Sequence, residues 1–162
     1  MIKIALTNLR KYNEGELIYE WVDLPCDNFD TVFDVIGHDE YFITDYECEI
    51  PSIFISENAR LETLNELAEQ LDDLSTYELR VLKAICEAHT SNLREALDIV
   101  SDETYLFYEV EDMNEFVEVL IDEGCFGDIP SNVRNYLDYS KIARDLEFDG
   151  FTLTSVGVIN ID

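Results

Sequence analysis

The chain has 162 residues, of which 47% are hydrophobic and 12% aromatic, so it can bury a core and is too apolar for a disordered acidic tail. Its 37 Asp and Glu outnumber its 10 Lys and Arg and give a formal charge of -27. A field of this sign repels nucleic acid and anionic membrane surfaces and attracts basic surfaces. We therefore expect a basic protein partner, no nucleic-acid partner and no membrane partner.

The cysteines and histidines do not form a metal-binding pattern. Cys26, Cys48, Cys86 and Cys125 lie far apart without a CxxC pair, and two histidines cannot complete such a site. Met1 leads into an alternating segment with no signal-peptide pattern, and no apolar run approaches the roughly 18 residues of a membrane span. We expect a cytoplasmic protein with reduced thiols and with no metal or other cofactor.

The acids are concentrated in two stretches that contain no Lys or Arg. Thirteen carboxylates lie between Lys11 and Arg60, and twelve lie between Arg94 and Arg134. A face that serves solubility alone usually mixes charges of both signs. The two stretches therefore favour a shaped acidic surface over a uniform, halophile-like adaptation, which circular dichroism at low salt would test.

The first third of the chain has a mixed pattern. It predicts a strand over 2–9, a KYNEGE turn over 11–16, a strand over 17–24 that Pro25 ends, and a short helix that Asp27 or Asn28 caps and Gly37 ends. Asp30 and Asp34 lie on the outer face of that helix.

Residues 41–50 alternate as a third strand. The pattern places Phe42 with Thr44, Tyr46 and Cys48 on one face, and Ile43 with Asp45, Glu47 and Glu49 on the other. This acidic row has a repeat of about 6.6–7 Å. It lacks the glycine and the spacing of an EF-hand loop, so we expect no calcium site there.

Three helices follow in the middle of the chain. The first has Leu61, Leu64, Leu67, Ala68 and Leu71 inside, and Glu62, Glu66, Glu69, Asp72 and Asp73 outside. Ser75 and Glu78 form a capping-box pattern that opens the second helix, and Ser91 can cap the third. The third helix has Leu93, Ala96, Leu97 and Val100 inside.

The last third begins with a strand over 104–110 and an acidic helix that ends at Gly124. The helix has Met113, Phe116, Val117, Leu120 and Ile121 inside, and Glu111, Asp112, Glu115, Glu118, Asp122 and Glu123 outside. No nearby Lys or Arg relieves these acids, and each like-charge pair costs about 0.2–0.5 kcal/mol. Two short helices over 130–136 and 138–146 and a strand over 151–161 complete the chain.

These elements predict an α+β fold in an elongated chain of three small domains. The domains are an N-terminal α+β domain over 1–58, a helical middle domain over 59–102 and a C-terminal α+β domain over 103–162.

The sequence contains no strong catalytic pattern. The sequence lacks GxGxxG, GxxxxGK[ST], HExxH and GxSxG, and His38 and His89 lie near helix ends, where cap or surface roles are typical. Among 37 acids some pair always lies close, so paired carboxylates have no diagnostic value. We expect no catalytic residue and no enzyme activity.

Two irregular motifs resemble the ArdA family of antirestriction proteins over nearly the whole chain. The first comprises Asn8, Leu9, Lys11, Tyr12, Asn13, Gly15 and Leu17, and the second comprises Pro130, Asn135, Tyr136, Leu137, Asp138, Tyr139, Arg144, Asp145 and Leu146. The resemblance implies a protein of mobile genetic elements or phage that mimics bent B-form DNA and occupies the DNA groove of Type I restriction-modification enzymes, at the methyltransferase core. It also implies an elongated homodimer of three small domains, with the dimer contact in the C-terminal domain.

The two groups of residues have different expected roles. The second motif belongs to the C-terminal core or the dimer contact, and Arg144 is expected to anchor neighbouring acids. The phosphate-like surface comprises Asp30, Asp34, Asp45, Glu47, Glu49, Glu62, Glu66, Glu69, Asp72, Asp73, Glu111, Asp112, Glu115, Glu118, Asp122 and Glu123. An alternative is a general acidic interaction module that sequesters another cationic DNA-binding protein.

Overall fold

The structure is a computed structural model that describes residues 1–161, and it has an α+β fold with eight helices and two three-stranded antiparallel sheets in that part of the chain. The chain divides into two compact units, and the boundary crosses helices α4 and α5. The first unit contains Met1–Leu79 and Ser91–Arg94, and the second contains Arg80–Thr90 and the residues from Glu95 onward. The three-domain division stays a prediction.

The first unit is built on one sheet with strand order β2-β1-β3. Its elements are β1 (Ile2–Asn8), α1 (Leu9–Asn13), β2 (Tyr19–Leu24), α2 (Asp30–Ile36), β3 (Tyr41–Cys48), α3 (Leu61–Asp73) and the first turn of α4 (Thr76–Ala88). On one face of β1, Ile2, Ile4 and Leu6 are fully buried. Helix α2 contacts β1 and β2, and α3 contacts β2.

A β-bulge at Thr44 changes the faces of β3. Leu6 pairs with Ile43 and Ala5 pairs with Asp45, so Thr44 falls outside the register of paired residues, although its hydroxyl lies 2.8 Å from that of Thr7 on β1. Directly paired residues share a face, so Ile43 lies with Tyr46 on the core face, while Phe42 lies with Asp45 on the other. The strict alternation expected for residues 41–50 is therefore wrong across Thr44.

Two local predictions in this unit are also corrected. The KYNEGE segment begins inside helix α1, because the Asn8 side chain accepts a hydrogen bond from the Lys11 N–H at 2.8 Å and caps the helix. Asn28 accepts from the Asp30 N–H at 2.9 Å, two residues before α2 begins, while the N-cap position is Phe29.

The second unit is built on a sheet with strand order β4-β6-β5. Its elements are the rest of α4, most of α5 (Leu93–Asp102), β4 (Tyr105–Tyr108), α6 (Met113–Asp122), α7 (Ser131–Arg134), α8 (Tyr139–Phe148), β5 (Thr152–Thr154) and β6 (Gly157–Ile161). The strand expected over 151–161 is thus a hairpin, β5 and β6. At the tight turn, a Cβ on Gly157 would lie 2.4 Å from the Tyr108 carbonyl oxygen.

The predicted apolar stripes of α3, α5 and α6 are confirmed. Their inward residues are all buried: Leu61, Leu64, Leu67, Ala68, Leu71, Leu93, Ala96, Leu97, Val100, Met113, Phe116, Val117, Leu120 and Ile121. The Ser75–Glu78 capping box is confirmed, with the Ser75 N–H donating to Glu78 at 2.7 Å. At the start of α5, Asn92 rather than Ser91 accepts a hydrogen bond, from the Arg94 N–H at 3.1 Å.

Candidate functional site

The two units carry almost equal negative charge. The first has five Lys and Arg against 19 Asp and Glu, a formal charge of -14, and the second has five against 18, a formal charge of -13. All sixteen acids of the predicted surface are exposed. Acidity is therefore a property of both units.

The α3 acidic face consists of Glu62, Glu66, Glu69, Asp72 and Asp73. These residues span about 16 Å of helix axis at 1.5 Å per residue, which is about one charge per 4 Å. The Arg94 guanidinium lies 3.9 Å from Glu66, and the other four acids have no cationic partner within residues 1–161. Burial, together with the negative charge of Glu62, raises the pKa of nearby Tyr41.

The α6 acidic face consists of Asp112, Glu115, Glu118, Asp122 and Glu123. It has the same length and the same axial spacing of about 4 Å per charge. Arg134 pairs with Asp122, which corrects the expectation that no base relieves this helix. Burial, with Glu123 and then Cys125 as smaller causes, raises the pKa of Tyr108.

Two acids of the α6 face also hold the helix terminus. The Asp112 carboxylate accepts hydrogen bonds from the backbone N–H groups of Asn114 at 2.8 Å and Glu115 at 2.9 Å. The Glu115 carboxylate accepts a hydrogen bond from the backbone N–H of Glu111 at 2.6 Å. Glu111 itself precedes the helix. These acids satisfy backbone donors that have no partner inside the helix.

The remaining predicted acids lie on β3 and α2. Asp45 and Glu47 share one face of β3, and Glu49 follows the strand and accepts the N-terminal ammonium of Met1 at 3.1 Å. Asp34 lies 3.2 Å from the His38 ring nitrogen, one helical turn away. The rigid row of three carboxylates is thus reduced to two.

The first irregular motif is structural at its start. Asn8 is buried, and its side-chain amide donates to the Ile36 carbonyl at 2.8 Å while its oxygen caps α1. Asn8 therefore joins the start of α1 to the end of α2. Lys11 pairs with Glu14 and Glu16, and these carboxylates raise the pKa of Lys11.

The second irregular motif contains both packed and exposed residues. Pro130 precedes α7, and Asp138 caps α8 by accepting from the Lys141 N–H at 3.1 Å. Leu146 is buried among the residues of α6, while Leu137 and Tyr139 pack against the same cluster. Tyr136 is 88% exposed, so it is not part of this core.

The polar motif residues lie outside the core. Asn135 and Asp145 are exposed, at the C-cap of α7 and on α8. Arg144 is exposed too and makes no ion pair within residues 1–161, and its anchoring of neighbouring acids stays a prediction.

The predicted acidic surface leaves out three exposed acids, and the predicted motif leaves out one exposed aromatic residue. Glu95, Asp98 and Asp102 occupy the outer face of α5 at helical spacing and are exposed, a pattern that the sequence already contained. Phe148 at the end of α8 is 82% exposed, and only its exposure in the fold distinguishes it from a core aromatic.

Within residues 1–161, no three His, Cys, Asp or Glu side chains are placed to hold a metal ion. The four cysteines are free thiols. None of the helices in this part of the chain is long and apolar enough to cross a membrane.

One family model matches the sequence. Its description is "Antirestriction protein (ArdA)", and the match extends over residues 4–160. Among curated proteins, none matches significantly.

Proposed function

Because the chain belongs to the ArdA family of antirestriction proteins, we propose that it is a non-catalytic mimic of B-form DNA. In this proposal it competitively occupies the DNA-binding groove of a Type I restriction-modification enzyme, at the methyltransferase core. Binding requires only that fixed carboxylates meet the Lys and Arg that normally contact phosphates.

The charge spacing on α3 and α6 is the observation that carries this proposal. Each strand of B-DNA has one phosphate per about 3.4 Å of axis, and each acidic helix face has one carboxylate per about 4 Å. A helix fixes that spacing, whereas a disordered acidic segment would lose conformational entropy on binding. The total charge of -27 corresponds to about 46 Å of duplex.

We propose that two copies extend this surface through the second irregular motif. Tyr136 and Phe148 are both more than four-fifths exposed and lie in the C-terminal segment for which a dimer contact is expected. Aromatic side chains are enriched at protein–protein interfaces, and these two are exposed enough to take part in one. A homodimer would double the imitated duplex to about 90 Å, in the arrangement of three small domains per copy.

The direct test is a titration of this protein into cleavage and methylation assays of a Type I enzyme. We expect loss of activity that excess duplex DNA reverses and that added salt weakens steeply. Binding to the methyltransferase core that persists unchanged with excess DNA would contradict competition for the groove.

The second candidate function is a general acidic module that sequesters another DNA-binding protein. Capture experiments distinguish it from the DNA-mimic proposal. Pulldown from cells with and without a Type I system should recover the methyltransferase subunits as the main difference. If the same unrelated basic protein is recovered from both cell types, the general module is the better description.

A further inference from the structure

A cavity of about 510 Å³ opens on the face of the first sheet that is turned away from Ile2, Ile4 and Leu6. Ala5 lies at its floor, between Trp21 on β2 and Asp45 on β3. The side chains that matter chemically are Tyr12, Tyr19, Trp21, Phe42, Asp45 and Glu57. The cavity thus combines four aromatic rings with two carboxylates.

The bulge at Thr44 creates this combination. Without it, Phe42 and Asp45 would lie on opposite faces of β3, because their separation is an odd number of residues. Because Thr44 falls outside the strand register, Phe42 faces the same side as Asp45 and lies across β1 from Tyr19. Bulges that re-aim a side chain are typical of functional positions in sheets.

Neighbouring segments complete the walls. Asn8 caps α1, and this helix carries Tyr12 to a ring-centroid distance of 5.3 Å from Phe42, in an edge-to-face arrangement. The backbone carbonyl of Glu57 accepts the Ile43 N–H at 2.9 Å, which holds the Glu57 segment beside β3. Tyr12 and Tyr19 remain 52% and 47% exposed, so these rings are available to a ligand.

Aromatic faces beside carboxylates attract an organic cation. The ring quadrupole and the negative charge act in the same direction, and burial of the cation's apolar parts adds to both. The Lys3 ammonium already lies 5.9 Å from the Trp21 ring centroid, so a cation contacts this aromatic group in the folded protein.

We propose that this cavity binds the guanidinium of an arginine presented by the protein's basic partner, an assignment of partner that rests on the proposed function. A guanidinium fits better than an ammonium because its planar group stacks on rings and donates two parallel hydrogen bonds to a carboxylate. Asp45 is one of the two acids that line the cavity and is also a member of the predicted acidic surface. The cavity would bind one arginine at a defined position, whereas the rest of the acidic surface would recognise its partner only through charge density.

Trp21 is the only tryptophan in the chain, so its fluorescence reports on this cavity alone. The probe is N-acetyl-arginine methylamide, compared at equal ionic strength with the citrulline and lysine analogues. We expect a saturable fluorescence change at millimolar concentration, with the arginine probe binding about fivefold tighter than either analogue. Equal responses to arginine and lysine, or no saturable response to arginine, would overturn the assignment.

Two variants and a control test the lining residues. Asp45→Asn keeps the side-chain oxygen that accepts the Tyr46 N–H at 2.8 Å, and Tyr12→Ala removes an exposed ring, so both variants should fold. Each should weaken arginine binding about fivefold. Asp27→Asn removes the same charge from an exposed loop of the same unit and should leave binding unchanged. If Asp27→Asn weakened arginine binding equally, the binding would depend on net charge, and this result would contradict a specific site at the cavity.

A second measurement separates this proposal from the proposed function. Tyr12→Ala leaves the formal charge at -27, so it should weaken inhibition of a Type I enzyme only if the cavity contacts the enzyme. Unchanged inhibition by this variant would refute the cavity's role in binding the enzyme while the DNA-mimic proposal stands. Probe binding in a protein that inhibits no restriction enzyme would refute the proposed function and leave the arginine site standing.

Discussion

The acidic faces of α3 and α6 have the same charge density but different structural duties. Each face has five carboxylates over about 16 Å. On each face, one carboxylate pairs with an arginine that is distant in sequence. At the N-cap of α6, Asp112 accepts two backbone hydrogen bonds, whereas Arg60 at the N-cap of α3 makes no side-chain cap bond. The α3 acids can therefore be changed without loss of a cap, whereas a change at Asp112 keeps the α6 cap only if the new side chain retains a capping oxygen.

The difference shows that charge and stability must be separated before a role is assigned to an acid. Reversing Asp112 or Glu115 alters both the surface and the start of α6, so weaker inhibition would have two explanations. The last turns of α3 offer a cleaner experiment, since Asp72 and Asp73 have no cationic partner within residues 1–161 and lie at the negative end of the helix dipole.

The largest effect is expected for the combined change Glu69→Lys, Asp72→Lys and Asp73→Lys. It moves the formal charge from -27 to -21 and should weaken inhibition of a Type I enzyme at least about tenfold, measured as the concentration for half-inhibition of cleavage. Stability should stay equal or rise in urea unfolding, because like-charge repulsion falls and cations favour a helix C-terminus.

The matched control reverses three exposed acids of the same unit that lie outside the predicted surface, Glu20, Asp27 and Glu40. It makes the same change in formal charge. If this control weakened inhibition as much as the α3 variant, total charge would matter and the position of the α3 face would not.

For α6, a pair of substitutions at Asp112 separates charge from capping. Asp112→Asn keeps a capping oxygen and should preserve stability, while Asp112→Ala should lower the free energy of unfolding by about 1 kcal/mol. Both remove one charge, so their inhibition should match when the protein is folded. Arg60→Ala at the uncapped start of α3 should change stability by less than about 0.5 kcal/mol, and a loss as large as that of Asp112→Ala would contradict the comparison.

The helical periodicity predicted both acidic faces, but it could not predict which of their acids form ion pairs or structural hydrogen bonds. The stripes of α3 and α6 follow from local spacing, since each buried face comes from residues three and four apart. The pairing of Arg134 with Asp122 joins residues on different elements, and the bulge at Thr44 depends on pairing with β1. Such features come from tertiary structure, which local periodicity does not contain.

Glu78 lies outside the predicted acidic surface, and its carboxylate has a structural role in the capping box at the start of α4. The Ser75 hydroxyl and N–H donate to its carboxylate and hold the pKa of Glu78 below its usual range. A lowered folded pKa contributes stability that is present above the unfolded pKa and is lost as pH falls through the folded value. Ser75→Ala should raise the pKa of Glu78 in an NMR titration and reduce the loss of stability on acidification. An unchanged titration would refute the role of the Ser75 hydroxyl in lowering this pKa.

The smallest effects are expected from the arginines that each neutralise one acid. Arg94→Gln frees Glu66 and Arg134→Gln frees Asp122, both in exposed pairs, so stability should change by less than about 1 kcal/mol. If the acidic faces imitate phosphates, each variant should inhibit up to about twofold more strongly at low salt. Arg134→Gln should have the larger effect, because Arg134 donates a hydrogen bond to Asp122, while Arg94 lies 3.9 Å from Glu66, beyond hydrogen-bond distance. Arg60→Gln removes a cation that has no ion pair within residues 1–161, and a gain from it equal to that from Arg134→Gln would attribute the effect to net charge rather than to the freed carboxylate.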